Sequence, residues 1–209
     1  MPVPVSRRRE ELLDALVSLF LAEGFRHFTL DDISARLHCS KSTLYALGQT
    51  KDQVTVNVVR RFFRTATGQV ESAIAAPAPP GERIADYLHA IGDALRPASP
   101  AFMTDLAAHA FAREIYEQNT AIAARRVGEL IAAGVSSGEF RSVHAAFVAD
   151  TAAATMARIQ SGAVLAATGL ADADAYDELA AVLLEGIRSP RSAYRAGKAA
   201  LQARPDGAR

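Results

Sequence analysis

The residues best suited to chemistry fall in one short stretch. Ser40, Lys41, Ser42 and Thr43 are consecutive small polar or basic side chains, followed by Tyr45 and Lys51. Ser40 is an N-cap residue type, so a helix opening there points its free backbone N–H groups and positive dipole end outward. That arrangement suits a phosphate or a base edge. Tyr45 adds a phenolic donor and Lys51 a cation, and Thr29, at the start of the preceding helix, adds a hydroxyl. This is the chemistry of gripping a polyanion, with no bond made or broken.

Catalysis and metal binding have no such grouping. His27, His38, His89, His109 and His144 share no metal-ligand spacing, and no Cys-x-x-Cys or His-x-x-x-His pattern occurs. The Asp31-Asp32 pair opens a helix, where the dipole favours carboxylates. Cys39 is the single cysteine, which excludes an intramolecular disulfide and a multi-cysteine zinc site. The expectation is a protein that is not an enzyme and holds no cofactor or metal.

The elements around these residues read as helices. An arm over 1–6 ends at Ser6, a plausible N-cap, and Arg9–Glu23 carries Leu12, Leu13, Leu16, Leu19 and Phe20 at three- and four-residue spacing. Gly24 supplies a left-handed C-cap. Thr29-Leu-Asp-Asp32 is a capping box opening a short helix that ends near Leu37. A three-residue turn with Cys39 as a small plug leads to a third helix over Lys41–Leu47, packed through Ile33, Leu37 and Leu44. Thr50-Lys-Asp-Gln53 is a second capping box, and the fourth helix runs from Lys51 to about Ala76. Arg60, Arg61 and Arg64 on that helix read first as complements to its dipole, with a nucleic-acid role as the alternative, while Arg7, Arg8 and Arg9 read equally as a reaching arm or a solvated charge run.

After Pro77-Ala-Pro-Pro-Gly81 the composition turns alanine-rich, and the chain as a whole contains 44 Ala in 209 residues. Alanine is the best helix former and a poor strand former, so the fold class is all-α. Longer helices are expected near 82–96, 100–113, 116–136, 144–168 and 172–189. No apolar run approaches the roughly 20 residues of a membrane span. Arg7–Arg9 are followed by Glu10, Glu11 and Asp14 with no signal-peptide apolar region, so a cytoplasmic protein is expected.

Residues 11–63, including Thr29-Leu-Asp-Asp-Ile33 and Cys39-Ser-Lys-Ser-Thr-Leu-Tyr45, resemble the DNA-binding domain of TetR-family transcriptional regulators. The resemblance rests on anchors in order, among them Ala15, Phe20, Gly24, Phe25, Thr29, Ile33, Ser40, Thr43, Tyr45 and Lys51. It departs at His38, where the family usually has Gly, and at Ala46-Leu47-Gly48, where the family often has an aromatic-His-Phe run. The rest of the chain is similar in architecture only. The resemblance implies a three-helix helix-turn-helix domain over 1–50, with its arm. It also implies a helical ligand-binding and dimerisation domain over 51–189, entered through the helix at 51–76. The remaining 190–209 read as a mobile basic tail.

The implied function is a ligand-responsive repressor, a homodimer on a near-palindromic operator. Lys41, Ser42 and Thr43 would approach the major groove, beside the cap Ser40, while Thr29, Tyr45 and Lys51 would hold phosphates. An unknown small-molecule effector would bind between later helices, with Phe102, Met103, His109, Met156, Arg158 and Gln160 as candidate contacts. The alanine-rich last helices would pair with a second copy through Phe147, Ala154, Ile159, Leu179, Val182, Leu183 and Ile187. An interaction adaptor that keeps the fold without binding DNA, and a helical-bundle enzyme, are the other classes.

Charge sharpens this reading. Lys+Arg and Asp+Glu both number 23, yet residues 1–64 carry a net +3, residues 65–189 a net −7 and residues 190–209 a net +4. The neutral total averages a mildly basic head and an acidic body, a partition that favours docking on DNA through the N-terminal part.

Overall fold

The computed structural model describes residues 5–188. Residues 1–4 of the expected arm and the expected tail at 190–209 lie outside the described residues. Ten helices follow in order within them: α1 Val5–Glu23, α2 Leu30–Arg36, α3 Lys41–Tyr45, α4 Lys51–Ala73, α5 Pro80–Leu95, α6 Pro100–Ala108, α7 Ala110–Ser136, α8 Ala145–Gln160, α9 Ala163–Thr168 and α10 Asp172–Ile187. The described β pairing is a single antiparallel bridge between Phe140 and Arg188. Among the described residues no helix is long and apolar enough to cross a membrane. The all-α expectation holds.

The chain packs as two compact units. The first comprises Met1–Glu71 and Asp93–Thr120, the second Ser72–Gly92 and Ala121–Arg209. The core of the first is aromatic: Phe20 meets Phe25 at 5.5 Å between ring centroids, Phe25 meets Phe102 at 6.0 Å and Phe102 meets Phe62 at 5.8 Å. Leu16, Ile33, Leu44 and Val54 of the same unit are fully buried as well. These are the stripe positions of α1 to α4, so burying one face of each helix assembles the head. In the second unit α8 packs on α10, with Met156, Ile159, Tyr176 and Ile187 buried. Phe140 is held there because Gly134 leaves room for its ring: a Cβ at Gly134 would lie 2.1 Å from it.

Several boundaries differ from the sequence reading. α1 already includes Ser6, so that residue is inside the helix and not its cap. The expected helix over 100–113 breaks at His109, whose extended backbone ends α6. Its Nδ1 then accepts the Ala112 N–H, so one residue stops one helix and caps the next without Gly or Pro to announce it. The expected helix over 144–168 is interrupted at Gly162, which takes the left-handed conformation with φ 75°.

Candidate nucleic-acid interface

Local capping builds the helix pair. Thr29 is the N-cap of α2: its hydroxyl accepts the Asp32 N–H at 3.1 Å, and the Asp32 carboxylate accepts the Thr29 N–H at 2.8 Å and its hydroxyl at 2.6 Å. The capping box therefore forms in both directions, and the hydrogen bonds from Thr29 hold the Asp32 carboxyl below the usual carboxylate range. Ser40 caps α3 by accepting the Thr43 N–H at 3.2 Å. Its Oγ also lies 2.7 Å from Ser42 Oγ and 2.8 Å from Thr43 Oγ1, so three hydroxyls share one corner.

The turn between α2 and α3 is closed by the Cys39 N–H on the Ser34 carbonyl and by the Ser34 hydroxyl on the Cys39 carbonyl. Cys39 is half-buried, and burial pushes its thiol up, away from the thiolate. His38 sits in that turn with φ 48°, the only positive φ at a non-glycine among the described residues. A side chain there carries the left-handed penalty that glycine escapes. Replacing His38 by Gly should raise unfolding stability by about 1 kcal/mol, part of the relief being offset by the freer unfolded chain. Urea unfolding of the two proteins checks it, and a loss of stability would show that the imidazole contributes more than the strain costs.

Ala46-Leu47-Gly48 is closed by packing. Leu47 is buried, its carbonyl accepts the Asn57 side-chain amide at 2.6 Å, and the Gln49 N–H donates to Gln53 Oε1 at 2.7 Å. A Cβ at Gly48 would lie 2.7 Å from the Val54 nitrogen, so glycine lets the chain pass tightly into α4. The Thr50 hydroxyl accepts the Gln53 N–H, which is one half of the second capping box. The other half is absent because Gln53 is spent on Gln49.

The seven proposed DNA contacts all lie in the first unit, with Thr29, Lys41, Ser42 and Tyr45 exposed. Tyr45 is 48% exposed, unusual for an aromatic ring and apt for a donor awaiting a partner. Lys41 is paired with Asp31, whose hydrogen bond raises its pKa; both side chains are exposed, so a phosphate can replace the carboxylate at small cost. Lys51 does more than the sequence shows: its ammonium donates to the Arg26 carbonyl at 2.7 Å, tying the start of α4 to the turn after α1. Partial burial lowers its pKa. Arg61 lies mid-helix and forks onto Asp14 at 2.9 and 3.2 Å, so the dipole account of Arg60, Arg61 and Arg64 fails: α4 continues to Ala73 and the dipole acts only in a last turn.

The candidate effector contacts do not lie in one unit. Phe102, Met103 and His109 belong to the first and Met156, Arg158 and Gln160 to the second. Phe102 and Met156 are buried core residues, and Arg158 is exposed in the last turn of α8, where it complements the dipole. His109 Nε2 lies 3.6 Å from Asp52. The candidate dimer residues divide as well. Phe147 is 70% and Val182 69% exposed, and Ala154, seven residues after Phe147 on α8, is exposed too, with Leu179 half-buried. Ile159, Leu183 and Ile187 are instead buried within the second unit's own core, because they face α8 and α10 of the same chain. Sequence reasoning missed Asp105, whose Oδ2 accepts the Phe25 and Arg26 N–H groups at 2.6 and 2.8 Å. A lone aspartate within a helix carries no local signal of that role.

A scan of protein-family models finds no match, and no curated protein matches the chain. Solved structures do. A transcriptional regulator from Cytophaga hutchinsonii superposes with a TM-score of 0.67 at 15% identity, covering 87% of this chain and 99% of that one. A TetR transcription regulator from Haloarcula marismortui gives 0.65 at 16%, covering 88% and 100%. A protein from Saccharomonospora viridis assigned as a transcriptional regulator, in complex with choline, gives 0.68 at 16%, covering 88% and 99%. The chain has the all-helical fold of the TetR-family transcriptional regulators, with a helix-turn-helix at its N-terminal end.

Proposed function

We propose that this protein is a DNA-binding transcriptional regulator, a repressor that acts in the cytoplasm as a homodimer and releases its operator on binding a small molecule. The observation that carries the reading is the capped α2–α3 pair, which leaves Lys41, Ser42 and Tyr45 exposed on a helix-turn-helix within a TetR-type fold. The hydroxyls of Ser42 and Thr43 are small enough to approach base edges, while Tyr45 and Lys51 flank them as phosphate donors; Thr29, whose N–H and hydroxyl both donate to Asp32, serves as the cap that sets α2 in place. The division into a reading domain over 1–50 and a ligand-binding and dimerisation domain over 51–189 is part of the same proposal. Exposed apolar side chains on α8 and α10 support self-association, and the choline complex of a fold neighbour supports a small-molecule effector.

Two recognition helices in such a dimer would lie about 34–36 Å apart or a multiple of it, matching one face of the duplex. The test is operator selection from a random duplex pool, followed by titration of two variants. Thr43→Ala should change the preferred base at one position, by about 1 kcal/mol of discrimination, the worth of one neutral hydrogen bond. Lys51→Ala should weaken binding on every sequence and lower the salt slope by about one. If neither variant differs from the parent protein on DNA, these residues do not read it.

A further inference from the structure

A second basic feature lies away from the α2–α3 pair. The groove between α1 and α4 has a volume of about 360 Å³ and is lined by Arg9, Arg60, Arg61 and Arg64, with Glu10 and Leu13 on the α1 side. Arg61 is neutralised by its fork onto Asp14. Arg9, Arg60 and Arg64 are exposed and have no hydrogen-bond or ion-pair partner among the described residues. Glu10 offsets one of these three charges, which leaves the groove at a net +2.

This is a poor arrangement for stability alone. Arg60 and Arg64 stand four residues apart on one helical face, where like charges repel. Arg9 brings a third guanidinium to the same groove from α1. An anion removes that repulsion. Guanidinium forks match the oxygen spacing of a phosphoryl group, and a phosphate monoester near neutral pH carries close to the two negative charges required. Sequence position separates the groove from the proposed operator grip. Arg60 and Arg64 lie nine and thirteen residues beyond Lys51, about 14–20 Å along α4 at the helical rise.

We propose that the α1–α4 groove binds a phosphoryl dianion through Arg9, Arg60 and Arg64. The site goes beyond operator recognition and does not depend on it. The two negative charges come from one of two sources, a phosphate monoester or two neighbouring phosphodiesters of a nucleic-acid backbone, each a monoanion, and two arms of one experiment separate them. In the first, inorganic phosphate and pyrophosphate are titrated into the DNA-free full chain by calorimetry at constant ionic strength. In the second, the salt dependence of binding to duplex DNA of arbitrary sequence is measured.

The expected result is saturable pyrophosphate binding, weakened about a hundredfold or more in the Arg60→Ala/Arg64→Ala variant, at one charge-assisted contact per lost guanidinium. Glu10→Gln removes the opposing charge and should tighten pyrophosphate several-fold, a gain that misfolding does not produce. Under a free-ligand source, the salt slope on duplex DNA stays unchanged in the double variant. A slope reduced by about two, with no pyrophosphate binding, assigns the same phosphoryl contacts to a DNA backbone. Pyrophosphate binding that is absent or indifferent to all three substitutions, with an unchanged slope, overturns the proposal.

Discussion

Phe147→Asp combined with Val182→Asp should leave each chain folded but monomeric, and should cut operator affinity by about 10²–10⁴-fold through loss of avidity. Both side chains are largely exposed in the single chain, at 70% and 69%, so carboxylates there are solvated and cost the isolated chain little. In a dimer that buries the α8–α10 face the same carboxylates would be stripped of water opposite their own copies, which is prohibitive. The asymmetry gives the test its power. Light scattering reports the mass, circular dichroism reports the fold, and operator titration reports the avidity. A variant that remains dimeric would place the interface elsewhere. A monomer with undiminished operator affinity would sink the dimeric reading of DNA binding. Truncating Ile159, Leu183 or Ile187 would not discriminate in this way, because those residues hold the chain's own core.

Asp105→Ala should destabilise the first unit by about 2–4 kcal/mol, since hydrogen bonds to a charged acceptor contribute about 1.5–3 kcal/mol each and water recovers part of the loss. One carboxylate oxygen serves both the Phe25 and Arg26 N–H groups, just after Gly24 turns the chain out of α1 with φ 79°. The same corner receives Lys51 on the Arg26 carbonyl and the Ser99 N–H on the Leu21 carbonyl. Gly24→Ala should cost a similar amount for a different reason. Its Cβ would sit 2.6 Å from Asp105 Oδ2 and 3.2 Å from the Ala101 carbonyl carbon, in a conformation that itself costs about 1–2 kcal/mol outside glycine. The two should not add. Asp105→Ala removes the atom the new methyl strikes, so the double variant should be more stable than the sum of single losses implies. Urea unfolding of the four proteins checks this. A loss below about 1 kcal/mol in Asp105→Ala would mean the corner is held by the phenylalanine cluster alone.

The helix-turn-helix was legible because its signals are local. Thr29 with Asp32, Ser40 with Thr43 and Gly24 at the end of α1 each act within a few residues, through hydrogen bonds or a backbone conformation that neighbours in sequence complete. The later helices were legible as helices but less so in their ends and faces. Alanine propagates a helix without marking which side is buried, because one methyl contributes little contrast between core and water. The breaks at His109 and Gly162 therefore passed unread, and the α8–α10 stripe mixed residues of the chain's own core with residues left outside it.

By itself, then, the sequence determined an all-helical chain with a capped helix pair presenting Ser40–Tyr45, and it placed the basic head ahead of the acidic body. Tertiary structure decided what depends on partners far along the chain. It set Asp105 beneath a turn 80 residues earlier, and it gathered Arg9 with Arg60 and Arg64 in one groove. It also separated Phe147 and Val182 from Ile159 and Ile187. The reason is one of range. A cap is completed by residues the chain cannot help bringing near, whereas an ion groove or a buried face exists only once remote helices have packed.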